Sequence, residues 1–77
     1  MENQYVVKVL NNIADILEMQ GVEFKPQAYR RAAQEIEVLQ ESIEDICVRN
    51  ELEDISGVGK HIAAKIKELV ETGKLKY

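Results

Sequence analysis

The residues with the clearest chemical potential are two glycines one residue apart and the lysine that follows them, in the stretch DISGVGKHIAAKIKEL. An amphipathic helical pattern begins directly behind Gly59, so the glycines precede the first turn of a helix. The first amides of a helix have no internal hydrogen-bond partner, and the helix dipole gives them partial positive charge. A phosphate reaches those amides only where no Cβ intrudes, which favours glycine. Gly57, Gly59 and Lys60 therefore predict an anion-binding helix start.

Charge is distributed unevenly along the chain. The 77 residues have a formal net charge of −4, which by itself argues against a nucleic-acid partner. Positive charge is confined to two stretches, residues 24–34 and 55–77, each with a net charge of +3, whereas residues 35–54 have a net charge of −7. Because local potential steers an anionic partner, both basic stretches are candidate contact surfaces. The alternative for either stretch is an ordinary solvated face.

Length and composition indicate one small domain over residues 1–77. With 45% hydrophobic and 31% charged residues, the chain has the balance of a folded domain rather than a disordered segment. No apolar run approaches the roughly 20 residues that a membrane-spanning helix needs. Cys47 is the sole cysteine, which excludes an internal disulfide or a cysteine-based zinc site and favours a reducing compartment. We expect a cytoplasmic monomer without membrane contact, in which Cys47 is a small packing residue.

Apolar residues recur at helical spacing, and no stretch alternates as a strand would. The predicted helices span residues 3–20, 26–40, 43–48, 51–54 and 60–72. Their expected caps and boundaries are Gly21, Pro26, Ser42 with Asp45, Asn50 and Gly73. The predicted core positions are Val6, Val9, Leu10, Ile13, Ile16 and Leu17, then Ala28, Ala32, Ile36 and Leu39, and finally Ile62, Ala63, Ile66, Leu69 and Val70. The fold class is all-α, a compact bundle of four or more short helices.

A short helix, a glycine turn and a second helix form a helix–hairpin–helix unit over about residues 50–72. Ile55 and Val58 are expected to anchor the turn in the core. Binding through backbone amides would be independent of sequence, because phosphates carry no base information. The alternative is a plain helix–turn–helix corner with a tight bend.

Three stretches together resemble the N-terminal domain of family X DNA polymerases, the DNA polymerase beta family, in its bacterial and archaeal form. They are ISGVGKHIAAKI at residues 55–66, FKPQAYRRAAQEI at residues 24–36 and ETGKLK at residues 71–76. The resemblance implies a helical 5′-phosphate-binding domain that grips gapped or nicked DNA. It also implies that the chain is the N-terminal part of a longer gap-filling polymerase, a nucleotidyltransferase of DNA repair and replication. Mg²⁺ would then belong to the polymerase domain alone.

The resemblance assigns roles to individual residues. It makes Lys65 the Schiff-base nucleophile of a 5′-deoxyribose-phosphate lyase. It also implies a monovalent cation, Na⁺ or K⁺, held by the backbone carbonyls of Glu53, Ile55 and Val58. The implied DNA contacts are Lys25, Tyr29, Gly57, Val58, Gly59, Lys60 and His61.

Several family positions hold different residue types here. The departures, which remove much of the ionic setting of the nucleophile, are Phe24, Glu53, His61, Ala64 and Tyr77. A Schiff base requires an unprotonated amine, whereas a lysine is ordinarily protonated at neutral pH. The preferred hypothesis is therefore DNA binding without catalysis or cofactor, with Arg30 and Arg31 solvated or on the backbone rather than reading bases. The alternatives are a working lyase through Lys65 and a helical protein-interaction module that does not bind DNA.

Overall fold

The computed structural model describes residues 1–73 as four α-helices and one turn of 3-10 helix. The α-helices are α1 (Asn3–Met19), α2 (Lys25–Glu37), α3 (Ile43–Val48) and α4 (Lys60–Thr72), and the 3-10 turn spans Leu52–Asp54. No strand occurs in residues 1–73, and the predicted all-α class is confirmed. The resemblance at residues 74–76 and the departure at Tyr77 lie outside the described residues.

Most predicted helix ends agree with the structure. Gly21 follows α1 with a φ of +75°, and Gly73 ends α4 with a φ of +77°, the left-handed conformation that glycine adopts readily. The Ser42 hydroxyl caps α3 by accepting the Glu44 N–H at 3.2 Å. The predicted cap at Asn50 is wrong: Glu51 precedes the 3-10 turn without a side-chain cap. Asn50 instead has a φ of +60°, so it reverses the chain after α3.

One core is shared by all the helices. Its largest fully buried side chains are Val6, Leu10, Ile36, Ile43, Ile66 and Leu69. Two predicted core positions are wrong, because Ile16 is 39% exposed and Ala28 lies on the surface. The buried stripe of α1 includes Val7 and Ala14, and Ile16 lies about 120° from its centre at 100° per residue. Ala28 forms part of a cavity wall instead of a helix contact.

Asn3 connects the start of α1 to the start of α3. Its Oδ1 accepts the Ile43 N–H at 2.8 Å, and its Nδ2 donates to the Glu41 carbonyl at 2.9 Å. The N-terminal ammonium of Met1 also pairs with the Glu44 carboxylate. These contacts join the start of α3 to the start of α1.

Within residues 1–73, every helix is too short or too polar to cross a lipid bilayer.

Candidate functional site

The turn between the 3-10 helix and α4, residues 55–59, is anchored by its apolar residues and is called the hairpin turn below. Val58 is 4% exposed, and Ile55 packs against the core. The Val58 N–H donates to the Ile55 carbonyl at 3.0 Å, which closes the turn. The expectation that these two residues anchor the turn is confirmed. Because the turn precedes α4 directly, packing of Ile55 and Val58 fixes the position of the first amides of α4.

The two glycines of the hairpin turn differ in backbone conformation and in surroundings. Gly57 has a φ of +81°, and a Cβ there would lie 3.0 Å from Cγ of Arg31. Backbone conformation and packing therefore both explain the glycine at this position. Gly59 is extended, with φ −91° and ψ −173°, and a Cβ there would meet nothing within 4 Å. No steric requirement inside the protein explains a glycine at Gly59, although glycine is among the residues favoured at a helix N-cap.

Gly59 is also the N-cap of α4, and no side chain caps that helix end. An N-cap serine or threonine would otherwise occupy one of the first amides. The amides at the start of α4 are therefore left to water or to an anionic ligand.

A cavity of about 350 Å³ lies between α2 and the start of α4 and is called the cationic cavity below. Its lining residues are Lys25, Ala28, Tyr29, Gly57, Gly59, Lys60, His61, Ile62 and Lys65. Three of these are lysines, and none is a carboxylate. Six of the seven DNA contacts expected from the sequence lie in this wall, and Lys65 lies there with them. The seventh, Val58, does not line the cavity, because its side chain is buried in the core.

Lys65 is half-buried at the flank of α4, between its core face and solvent. It shares the cationic cavity with Lys25, which is exposed, and with Tyr29, which is 8% exposed. Tyr29 both packs in the core and forms part of the cavity wall. The arrangement brings an amine, a phenol and further cations to one opening.

The expected monovalent-cation site depends on backbone carbonyls around the hairpin turn. The Ile55 carbonyl already accepts the Val58 N–H, and a carbonyl oxygen has a second lone pair for a cation. Carbonyl oxygens are donors that suit Na⁺ or K⁺, and Glu53 and Val58 would supply the other two of the expected site. Among residues 1–73, no cluster of histidine, cysteine or acidic side chains could hold a metal ion. The carbonyl site stays a prediction.

Two neighbouring arginines of α2 have different surroundings, which the sequence did not indicate. Arg30 pairs with the carboxylates of Asp15 and Glu18 on α1, and these hydrogen bonds raise the pKa of its guanidinium. Arg31 extends to the hairpin turn, where its Nη2 donates to the Ser56 hydroxyl at 3.3 Å. The Arg31–Ser56 pair spans 25 residues of sequence, so no local pattern could have predicted it.

Acidic residues gather around a separate groove of about 360 Å³, called the acidic groove below. Its charged lining residues are Glu35, Glu41, Arg49, Glu51 and Asp54. Arg49 pairs with Glu41 at 2.9 Å and with Glu51 at 2.7 Å, which raises the pKa of Arg49 and neutralises the sole cation of that lining. Among the described residues, the charged side chains that line the cationic cavity and the acidic groove thus differ in sign.

A family model described as a helix-hairpin-helix domain matches residues 1–75. The match includes the hairpin turn, α4 and the α2 residues of the cationic cavity. Among curated proteins, none matches the chain.

Proposed function

Because the chain belongs to the helix-hairpin-helix domain family, whose members commonly bind nucleic acid, we propose that it binds the phosphate backbone of DNA without regard to base sequence. The ligand is gapped or nicked duplex DNA with a 5′-phosphate, and the domain acts as a monomer. We further propose that the chain is the N-terminal domain of a family X polymerase that fills gaps during DNA repair.

The observation that supports backbone binding most directly is the cationic cavity at the open start of α4. Lys25, Lys60 and Lys65 surround it without a carboxylate in its lining. Hydrogen bonds to a charged phosphate contribute about 1.5–3 kcal/mol each, roughly twice a neutral bond. Amides and lysines that contact phosphates position a protein on DNA but read no bases. The proposed domain therefore recognises DNA ends and backbone shape.

The polymerase context is supported by the combination of motifs in one domain. The hairpin turn alone is common to many helix-hairpin-helix domains. Here the stretch at residues 24–36 supplies Lys25 and Tyr29 to the same cavity, as the family X resemblance requires.

Fluorescence anisotropy with labelled duplexes tests the proposed function. We expect binding to a one-nucleotide gap with a 5′-phosphate to be several-fold tighter than binding to the same gap with a 5′-hydroxyl. Changing the base sequence around the gap is expected to leave the affinity unchanged within about twofold. Absence of binding at low salt would contradict the proposal and favour a protein-interaction module. A marked sequence preference would show that bases are read.

A second candidate function is 5′-deoxyribose-phosphate lyase activity, which is favoured by the half-buried Lys65 in the cationic cavity. In this reaction the lysine amine attacks the sugar aldehyde, water leaves and an imine forms. We rank this below binding, because the residue types at Phe24, His61 and Ala64 depart from the family.

Borohydride trapping on incised abasic DNA tests the lyase candidate, since hydride reduces the imine carbon and leaves a permanent crosslink. We expect weak crosslinking or none from the parent chain. Efficient trapping that Lys65→Ala abolishes and Lys25→Ala merely reduces would establish the lyase. Weak trapping that survives Lys65→Ala would identify other amines, such as those of Lys60 or Lys67.

A further inference from the structure

Arg31 lies across the hairpin turn on the side of α2. A Cβ at Gly57 would lie 3.0 Å from its Cγ and 3.1 Å from its Nε, so the aliphatic stem covers the turn at the glycine. The guanidinium continues to Ser56, whose hydroxyl accepts one N–H at 3.3 Å. The cation is thereby held beside the turn that precedes the open amides of α4.

The guanidinium of Arg31 pairs with no carboxylate among residues 1–73, and its one hydrogen bond there is a long one to a neutral hydroxyl. A guanidinium has five N–H donors, and two in parallel match the oxygens of a phosphate. Arg30, one residue earlier, has both of its carboxylate partners on α1. Of the two arginines, Arg31 is therefore the one with donors left for an anion.

The order of side chains along α2 shows where Arg31 lies relative to the cationic cavity and the acidic groove. Lys25, Ala28 and Arg31 follow one another at helical spacing, and the first two line the cationic cavity. Glu35, one turn beyond Arg31, lines the acidic groove together with Ser56. Arg31 therefore lies about 9 Å beyond Lys25 along the helix axis, at 1.5 Å per residue, and adjoins the acidic groove through Ser56.

We infer that Arg31 is a second phosphate contact, which binds the DNA backbone on the α2 side of Gly57 while the cationic cavity holds the terminal phosphate. This inference rests on the proposed function. It makes the hairpin turn a ridge with a phosphate contact on each side. It also explains why the turn carries glycine at Gly57: the residue must accommodate the stem of Arg31 as well as adopt a positive φ.

Salt-dependent anisotropy with the gapped, 5′-phosphorylated duplex tests the inference, using variants that separate charge from packing. Arg31→Met keeps an aliphatic stem over Gly57 without the charge, and Arg31→Lys keeps the charge. Arg30→Met is the matched control, because it removes the same formal charge from the adjacent residue. Circular dichroism checks that each variant retains the helical signal of the parent.

We expect Arg31→Met to weaken binding about three- to tenfold at low salt and to reduce the slope of log K against log salt by about 0.9, the value for one phosphate contact. Arg31→Lys is expected to keep the parental slope, and Arg30→Met to change the affinity less than twofold. Arg31→Met binding like the parent, or both methionine variants weakening binding equally, would overturn the inference and leave the proposed function intact. No binding by the parent would overturn both.

Discussion

Gly57 and Gly59 are equivalent in the sequence pattern but not in the structure. Gly57 has a positive φ and contacts the Arg31 side chain, so its substitution would disturb the turn itself. Gly59 has an ordinary extended backbone and open space around it. A substitution at Gly59 therefore tests ligand approach without disturbing the fold.

Gly59→Ser is expected to separate stability from DNA binding. A serine N-cap would accept an amide hydrogen of the first turn of α4, which contributes a few tenths of a kcal/mol relative to glycine. The same hydroxyl would occupy the amide and the space that a phosphate needs. We expect an unchanged or slightly higher thermal midpoint together with an affinity lower by about tenfold, measured by calorimetry and anisotropy. Parental affinity in this variant would show that DNA does not approach the start of α4.

The reactivity of the Cys47 thiol tests how well this residue is packed in the folded chain. Burial raises the pKa of its thiol above the ordinary 9.0, and the nearby Glu71 carboxylate adds to this effect. The folded state therefore holds the proton more tightly, and the associated stability is lost as pH rises through the raised pKa. We expect iodoacetamide to alkylate the folded chain more slowly than the urea-unfolded chain at pH 8. Equal rates would mean that the thiol is not buried, and Cys47→Ser serves as the unreactive control.

At the scale of the elements, α2 connects the core to the surface that we propose binds DNA. Ile36 lies fully in the core, Arg30 pairs with α1, and Lys25 and Tyr29 form a wall of the cationic cavity. The orientation of α2 is thus determined by core packing and by α1, and this orientation places Lys25 and Tyr29 in the cavity wall. Stability and binding geometry are therefore linked through this helix.

Asn3→Ala tests the connection between α1 and α3. The change removes the acceptor of the Ile43 N–H, which is partly buried, and an unsatisfied buried donor costs about 1–3 kcal/mol. Each kcal/mol lowers the midpoint of a domain of this size by roughly 4–8 °C. Thermal denaturation measures the loss. Asn12→Ala, at an exposed position of the same helix, is the control and is expected to remain within about 0.5 kcal/mol of the parent; an equal loss in both variants would contradict this role of Asn3.

At the scale of the whole molecule, a chain with a net charge of −4 is proposed to bind a polyanion. The net negative charge is compatible with this proposal because the lysines of the cationic cavity and the carboxylates of the acidic groove line separate parts of the surface. The acidic groove would repel DNA, so we expect contact on one side of the domain. The expected interface is consequently small.

The salt dependence of binding measures the size of that interface. With about two to four phosphates contacted, the slope of log K against log salt is expected to be roughly −2 to −4, at −0.9 per phosphate. Anisotropy titrations at several salt concentrations give this value. A much steeper slope, or tight binding at high salt, would mean that DNA also contacts surfaces outside the cationic cavity and Arg31.

Local sequence patterns predicted the all-α class, all five helical segments to within three residues at each end, and the residues that form the hairpin turn. These features depend on local physics, since apolar periodicity, helix caps and glycine conformations act over a few neighbouring residues. The predicted helix cap at Asn50 is wrong for a local reason, because asparagine also adopts the left-handed conformation readily. Lys25 and Tyr29 are far from the turn in sequence, and their place beside it was expected from the resemblance to family X polymerases and not from a local pattern.

Which cations are available to a ligand depends on contacts between helices that no local pattern indicates. Arg30 and Arg31 are adjacent and chemically identical, yet one is neutralised by α1 and the other lies over the hairpin turn. Their partners are 12 to 25 residues away, and the packing angle between helices selects them. The distinct roles of Gly57 and Gly59 likewise depend on Arg31, which approaches one glycine and not the other. Local pattern therefore predicts the elements, whereas the contacts between elements determine the electrostatics of the site.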